Sequence, residues 1–202
     1  FVINAYCLAR SNSFNEFIEN YKKLFYYNNS VDFKSRIHFS EDRIIYTNNF
    51  KIVNHPLLQE ISDSIELILN QKSTGEKLIP IDFQKKIVLH YYFFNNNSKN
   101  IVDSFIRQNT DTLGVALIKK KNILSGHLIS HEGFLVEKLF IHSSRNLKKV
   151  SMVSNFCKYL EDAEFDGFIL FKLNQNEKQK NSLRILYRFY RNACRIIESK
   201  RI

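Results

Sequence analysis

Residues 134–173 read FLVEKLFIHSSRNLKKVSMVSNFCKYLEDAEFDGFILFKL, and the parsing of this stretch decides the fold. Residues 134–141 have the aromatic and branched content of a strand. From about 147 to 161, Val150, Val153, Phe156, Cys157 and Leu160 recur at helical spacing, which predicts one long helix. Gly167 then opens a strand over 168–173. A strand, a helix and a strand in that order form a right-handed crossover. The two strands are therefore expected to lie parallel in one mixed sheet.

Working back toward the amino end, 113–120 and 123–130 read as a hairpin turning at Lys119-Lys120-Lys121-Asn122. Ser98 can cap a short helix carrying Ile101, Val102, Phe105 and Ile106, and 85–94 reads as a strand. His55-Pro56 opens a predicted helix with Leu57, Leu58, Ile61, Ile65, Ile68 and Leu69 on one face, ending near Gly75. Residues 36–53 read as two strands around Asn48-Asn49. Ser13 with Glu16 forms a capping box, opening a helix that carries Phe14, Phe17, Ile18, Tyr21, Leu24 and Phe25. Residues 2–9 read as a strand. The weak break at 72–80 divides the chain into 1–75, a strand–helix–hairpin–helix extension or subdomain, and 76–202, the core.

The chain has 202 residues, 44% hydrophobic and 14% aromatic, with 18 Phe, 10 Tyr, no Trp, 5 Gly and 2 Pro. That composition can bury a core and excludes a disordered chain. No apolar run approaches the roughly 18 residues of a membrane span. Residues 1–10 show neither a charged start nor a small-residue cleavage site, so no signal peptide is expected and the expected location is cytoplasmic. Cys7, Cys157 and Cys194 are far apart and read as reduced core thiols.

The net charge is +10. Much of it lies beyond Glu177, where Arg184, Arg188, Arg191 and Arg195 fall within about 60° on a helical wheel. Leu186, Tyr190, Ala193 and Ile197 take the opposite side. An arginine stripe of this kind is either a solvated face or a surface for a polyanion, nucleic acid or an acidic protein.

The element order, with Val136-Glu137-Lys138-Leu139-Phe140-Ile141, the helix after it, Gly167-Phe168-Ile169-Leu170 and Asn181 with Leu186-Tyr187, resembles the GNAT N-acyltransferases over residues 85–190. The resemblance implies an α/β (α+β mixed-sheet) acyltransferase fold that moves an acyl group from acetyl-CoA or another acyl-CoA, or an acyl carrier, to an amine acceptor. It implies that the backbone of Leu139, Phe140 and Ile141 pairs with the pantetheine arm and that Asn181 also contacts the cofactor. Where that family carries an Arg or Gln and then two glycines at the pyrophosphate, this chain has Asn146 and then Lys149 and Ser151, so Arg145, Lys148 and Lys149 are expected to supply charge instead. Glu137 is the expected base, His142 its alternative, and Tyr187 the expected acid. No metal is expected. His127 and His131, four apart, lack further zinc ligands, and His38, His55 and His90 stand alone. The lost glycines equally fit an inactive acyltransferase-like module that binds a partner.

Overall fold

The computed structural model describes residues 1–47, 49–144 and 146–173. Eight strands form one sheet in the order β2-β3-β8-β4-β5-β6-β7, with β1 also paired to β8. They are β1 Phe50–Ile52, β2 Ser62–Leu69, β3 Lys85–Phe93, β4 Thr112–Ile118, β5 Ile129–Val136, β6 Leu139–Ser144, β7 Lys149–Val153 and β8 Gly167–Leu173. Every pair of neighbours is antiparallel. Helices α1 Val2–Ala9, α2 Phe14–Phe25 and α3 Ser40–Tyr46 cover one face. Helices α4 Lys99–Gln108 and α5 Phe156–Asp162 cover the other, together with a 3-10 turn at Pro56–Ile61.

Alternation along the central strands builds the two cores. In β4, Ala116 and Ile118 enter the α1–α3 side, while Leu113, Val115 and Leu117 enter the α4–α5 side. β8 does the same with Ile169 and Phe171 against Phe168 and Leu170. Strands covered on both faces read as near-continuous apolar runs.

The parallel crossover is not formed. Residues 134–141 are not one strand: Glu137, at φ 53°, turns the chain between β5 and β6. The helix expected from 147 to 161 is broken into β7 and the short α5. Asn155 caps α5 by accepting from Lys158 N. β8 lies between β3 and β4, with β4 and β5 separating it from β6. Three further expectations change. Residues 2–9 are helix, because Val2, Ile3, Tyr6 and Cys7 pack on one helical face. The helix over 57–69 is a 3-10 turn followed by β2, in which Leu67 and Leu69 point inward at period two. Residues 36–53 supply α3 before the single strand β1. The mixed α/β class, α2 with its Ser13 cap, β3, α4 and β8 stand as read, whereas the hairpin expected of 113–120 and 123–130 is replaced: residues 120–125 form a 3-10 turn, and β4 pairs with β5 at 129–136.

The loop from β2 to β3 hangs on Asn70, which is fully buried at φ 63°. Its amide donates to Ile79 O at 3.1 Å and Phe83 O at 2.8 Å and accepts from Ile79 N at 2.6 Å.

Candidate active site

Phe140 and His142 project from one face of β6, and β5 presents His131 beside them. Gly133 stands opposite His142 in the β5–β6 register, so His131 is its diagonal neighbour on the same face. His131 Nε2 lies 2.8 Å from His142 Nδ1. The pair sits in an aromatic setting: His142 stacks on Phe140 at 5.2 Å and meets Tyr159 at 4.9 Å, while His131 faces Phe165 at 6.5 Å.

This environment keeps both rings neutral at pH 7. Burial lowers His131 from 6.5 to about 4, helped by repulsion from His142 and opposed by Glu132. His142 is also lowered by burial, with the Ser143 backbone working against that shift. When His131 Nε2 donates to His142 Nδ1, His131 Nδ1 is left as a proton acceptor with no partner among the described residues.

A cleft of about 370 Å³ reaches His131 but not His142; it is lined by Phe1, Phe25, Arg43, His131, Glu132 and Ser143 among others. Arg43 is buried; its Nη2 donates to Glu132 Oε1 at 2.6 Å and to Ser40 Oγ at 2.9 Å. Its Nε finds no partner among the described residues. A larger hollow of about 460 Å³ lies elsewhere, beside Ile52, Asn54, His90 and Tyr92. Its one imidazole, His90, stands alone, and the Tyr92 hydroxyl is engaged by His55 N and Val53 O. Of the two, the smaller cleft is the one lined by a member of the imidazole pair.

Glycine at 133 makes the stacking possible. A Cβ there would stand 2.5 Å from the Phe140 ring and 2.7 Å from Ile141 O. Gly133→Ala should lose about 1–3 kcal/mol of stability in urea unfolding, because overpacked cores strain by this amount. The displaced ring is the one on which His142 rests.

Of the residues expected to act, the structure brings only His142 to this site. Glu137 is exposed in the β5–β6 turn, where its carbonyl accepts from Asn109 Nδ2 at 2.9 Å. The backbone of Leu139, Phe140 and Ile141 is taken up by pairing: β6 meets β5 through 139–142 and β7 through 140–144. A pantetheine arm therefore finds no open strand edge there. Asn146, Lys148 and Lys149 lie exposed at the β6–β7 turn. Arg145, Asn181, Tyr187, Arg184, Arg188, Arg191 and Arg195 lie outside the described residues. Neither described thiol is poised to attack: Cys7 is fully buried and raised to about 11 by burial, and burial raises Cys157 as well.

No group of three or more His, Cys, Asp or Glu among the described residues could hold a metal ion, and no described helix is long and apolar enough to cross a membrane. The expected strand over 123–130 left His131 in a turn, whereas it lies within β5. Once the turn at 137–138 is recognised, the alternation His131, Gly133, Leu135 against Phe140, His142 places both imidazoles on one face.

The sheet with helices on both faces defines a mixed α/β fold that carries a hydrogen-bonded imidazole pair. The chain belongs to the AmiA-like family, N-acetylmuramoyl-L-alanine amidase-like, whose model matches residues 1–168. Solved structures share the fold. A Legionella pneumophila protein described by the family model DUF1460 superposes with a TM-score of 0.66 at 17% identity, covering 85% of this chain and 73% of the other. An N-acetylmuramoyl-L-alanine amidase from Bacteroides uniformis gives 0.58 at 17% identity, covering 85% and 80%. A second structure under the same description and from the same organism gives 0.53 at 15%, covering 81% and 75%. No curated protein matches the chain. Membership of this family overturns the acyltransferase reading, and with it acyl-CoA as cofactor and an amine acceptor as partner.

Proposed function

We propose that this protein hydrolyses an amide bond of the N-acetylmuramoyl-L-alanine type in peptidoglycan, with His131 as the proton-transfer group and His142 as the residue that orients it. The carrying observation is the 2.8 Å contact between the two rings beside an open cleft, in a chain of an amidase-like family. Amide hydrolysis needs a group to take a proton from the attacking atom and return it to the departing amine. His131 Nδ1, neutral and unpaired, can do both. His142 fixes the tautomer by accepting from Nε2, as the partner of a catalytic imidazole does.

Water activated by His131 supplies the attacking atom that fits this geometry.

The lowered histidines fix the pH behaviour. Activity should persist well below pH 6.5 and fall off on its acid side near pH 4–5, where His131 begins to protonate. For stability the sign follows from proton uptake. Between about 4 and 6.5 the unfolded chain binds the proton and the folded one does not, so stability falls as pH drops through that window. Thermal unfolding at pH 7.5, 6, 5 and 4.5 checks this. A midpoint that stayed flat to pH 4.5 would contradict it.

A further inference from the structure

β3 pairs with β2 along its whole length, but with β8 only at Tyr92 and Phe93. Beyond that point β1 takes the edge of β8. Phe50, Lys51 and Ile52 pair with Leu173, Lys172 and Phe171, and Val53 N donates to Leu170 O at 2.9 Å. The sheet therefore splits between β1 and β3, and the hollow of about 460 Å³ occupies the split. Its closed end is spanned by a side chain instead of a ladder: the Tyr92 hydroxyl donates to Val53 O at 3.1 Å and accepts from His55 N at 2.8 Å.

Both walls of the split are bare strand edges. Backbone groups in an antiparallel ladder point alternately to the two sides of a strand. Phe94 N donates to Asp166 O at 2.8 Å, on the β8 side, so the N–H and C=O of Tyr92, His90 and Val88 share that direction. Val53 N faces β8, which turns the N–H and C=O of Ile52 and Asn54 toward β3. Among the described residues no backbone hydrogen bond crosses the split to Ile52, Asn54, Val88 or His90. β1 and β3 both run antiparallel to β8, so one inserted strand can lie antiparallel to both of them. The walls also set a side-chain pattern. Ile45, Ile52 and Leu89 line the hollow on the α3 side, and Gln59, Ser62 and His90 line it on the other. None of its lining residues is charged.

We propose that this split is a docking site for an extended polypeptide segment, uncharged where it docks and apolar at every second position. A strand laid there meets open donors and acceptors on both sides, which is strand addition at two edges at once. A ligand without amide groups would leave those N–H and C=O groups unpaired, at a cost a strand avoids. The hollow shares no lining residue with the cleft at His131, and the proposal does not depend on amide cleavage.

Amide hydrogen exchange, read by NMR on the full chain, tests the open edge first. Val88 and His90 should exchange fast, and Ile87 and Leu89, whose N–H groups face β2, should exchange slowly. Equal protection of all four would overturn the proposal, and protection that appears only in a sedimenting dimer would assign the split to a second copy. The probe for docking is the capped peptide acetyl-Ser-Val-Thr-Val-Ser-amide. Its titration should slow exchange at Val88 and His90. The same peptide N-methylated at both valines keeps its side chains and loses two donors, so it should bind wild type about tenfold more weakly or worse. His90→Pro removes an N–H that faces the split and spares the β2 ladder, and should weaken the unmodified peptide by a similar factor. The methylated peptide is read on wild type, so its result stands even where circular dichroism shows His90→Pro unfolded. No binding of the unmodified peptide by wild type, or equal binding of the two peptides, would overturn the proposal.

Discussion

His131→Ala should reduce amide hydrolysis by about 10²- to 10⁴-fold while leaving the fold intact, the range expected when a positioned proton-transfer group is removed. His131 is partly exposed beside the cleft, so its removal leaves space open to water rather than a sealed void. His142→Ala should cost less in rate, because it orients the base and does not itself take the proton. His142→Asn tests this distinction. An amide in that place can still accept from His131 Nε2, so part of the lost rate should return. Steady-state kinetics on a muramoyl peptide, with unfolding curves for each variant, resolves the three. A His142→Ala loss far exceeding that of His131→Ala would exchange their roles.

The largest stability effect belongs to Glu41. This carboxylate, 1% exposed in the first turn of α3, accepts from Leu128 N at 2.5 Å and Ile129 N at 2.6 Å. It thereby ties the helix to the strand that carries His131. Glu41→Ala would leave two buried N–H groups without partners, each costing about 1–3 kcal/mol. A combined loss of about 3–5 kcal/mol is expected, a large part of the total stability of a domain. Glu41→Gln keeps an oxygen in place and should lose about half as much. Urea unfolding gives both values, and equal losses for Ala and Gln would show that charge at the α3 terminus, not acceptance from β5, is what counts.

How far the sequence could be read follows from particular residues. α2 announced itself through Ser13 and a clean apolar face, and β4 and β8 through apolar runs that need cover on both sides. The errors share a cause. Turns at Asn70, Glu137 and Lys148 take positive φ without glycine, so the usual punctuation was missing. Unpunctuated, 134–141 ran together as one strand and 147–161 as one helix. In 57–69, Ile61, Ile65 and Ile68 suit a helix, while Ile65, Leu67 and Leu69 suit a strand. The strand formed because β3 pairs with it along its whole length. The acyltransferase resemblance was built on those merged elements and fell with them. His142 was legible at the end of the 134–141 run; its pairing with His131 depended on knowing the β5–β6 register.

The central claim is amide cleavage through His131, and one measurement addresses it most directly. A purified N-acetylmuramoyl-L-alanyl peptide is incubated with the protein at pH 6–7, and the products are weighed by mass spectrometry. Wild type should release the peptide with a free L-alanine amino terminus together with the muramoyl acid, one water having been added across the bond. His131→Ala, folded and at equal concentration, should leave the substrate intact over the same time. Cleavage at some other bond, or cleavage at this one that proceeds equally in His131→Ala, would contradict it.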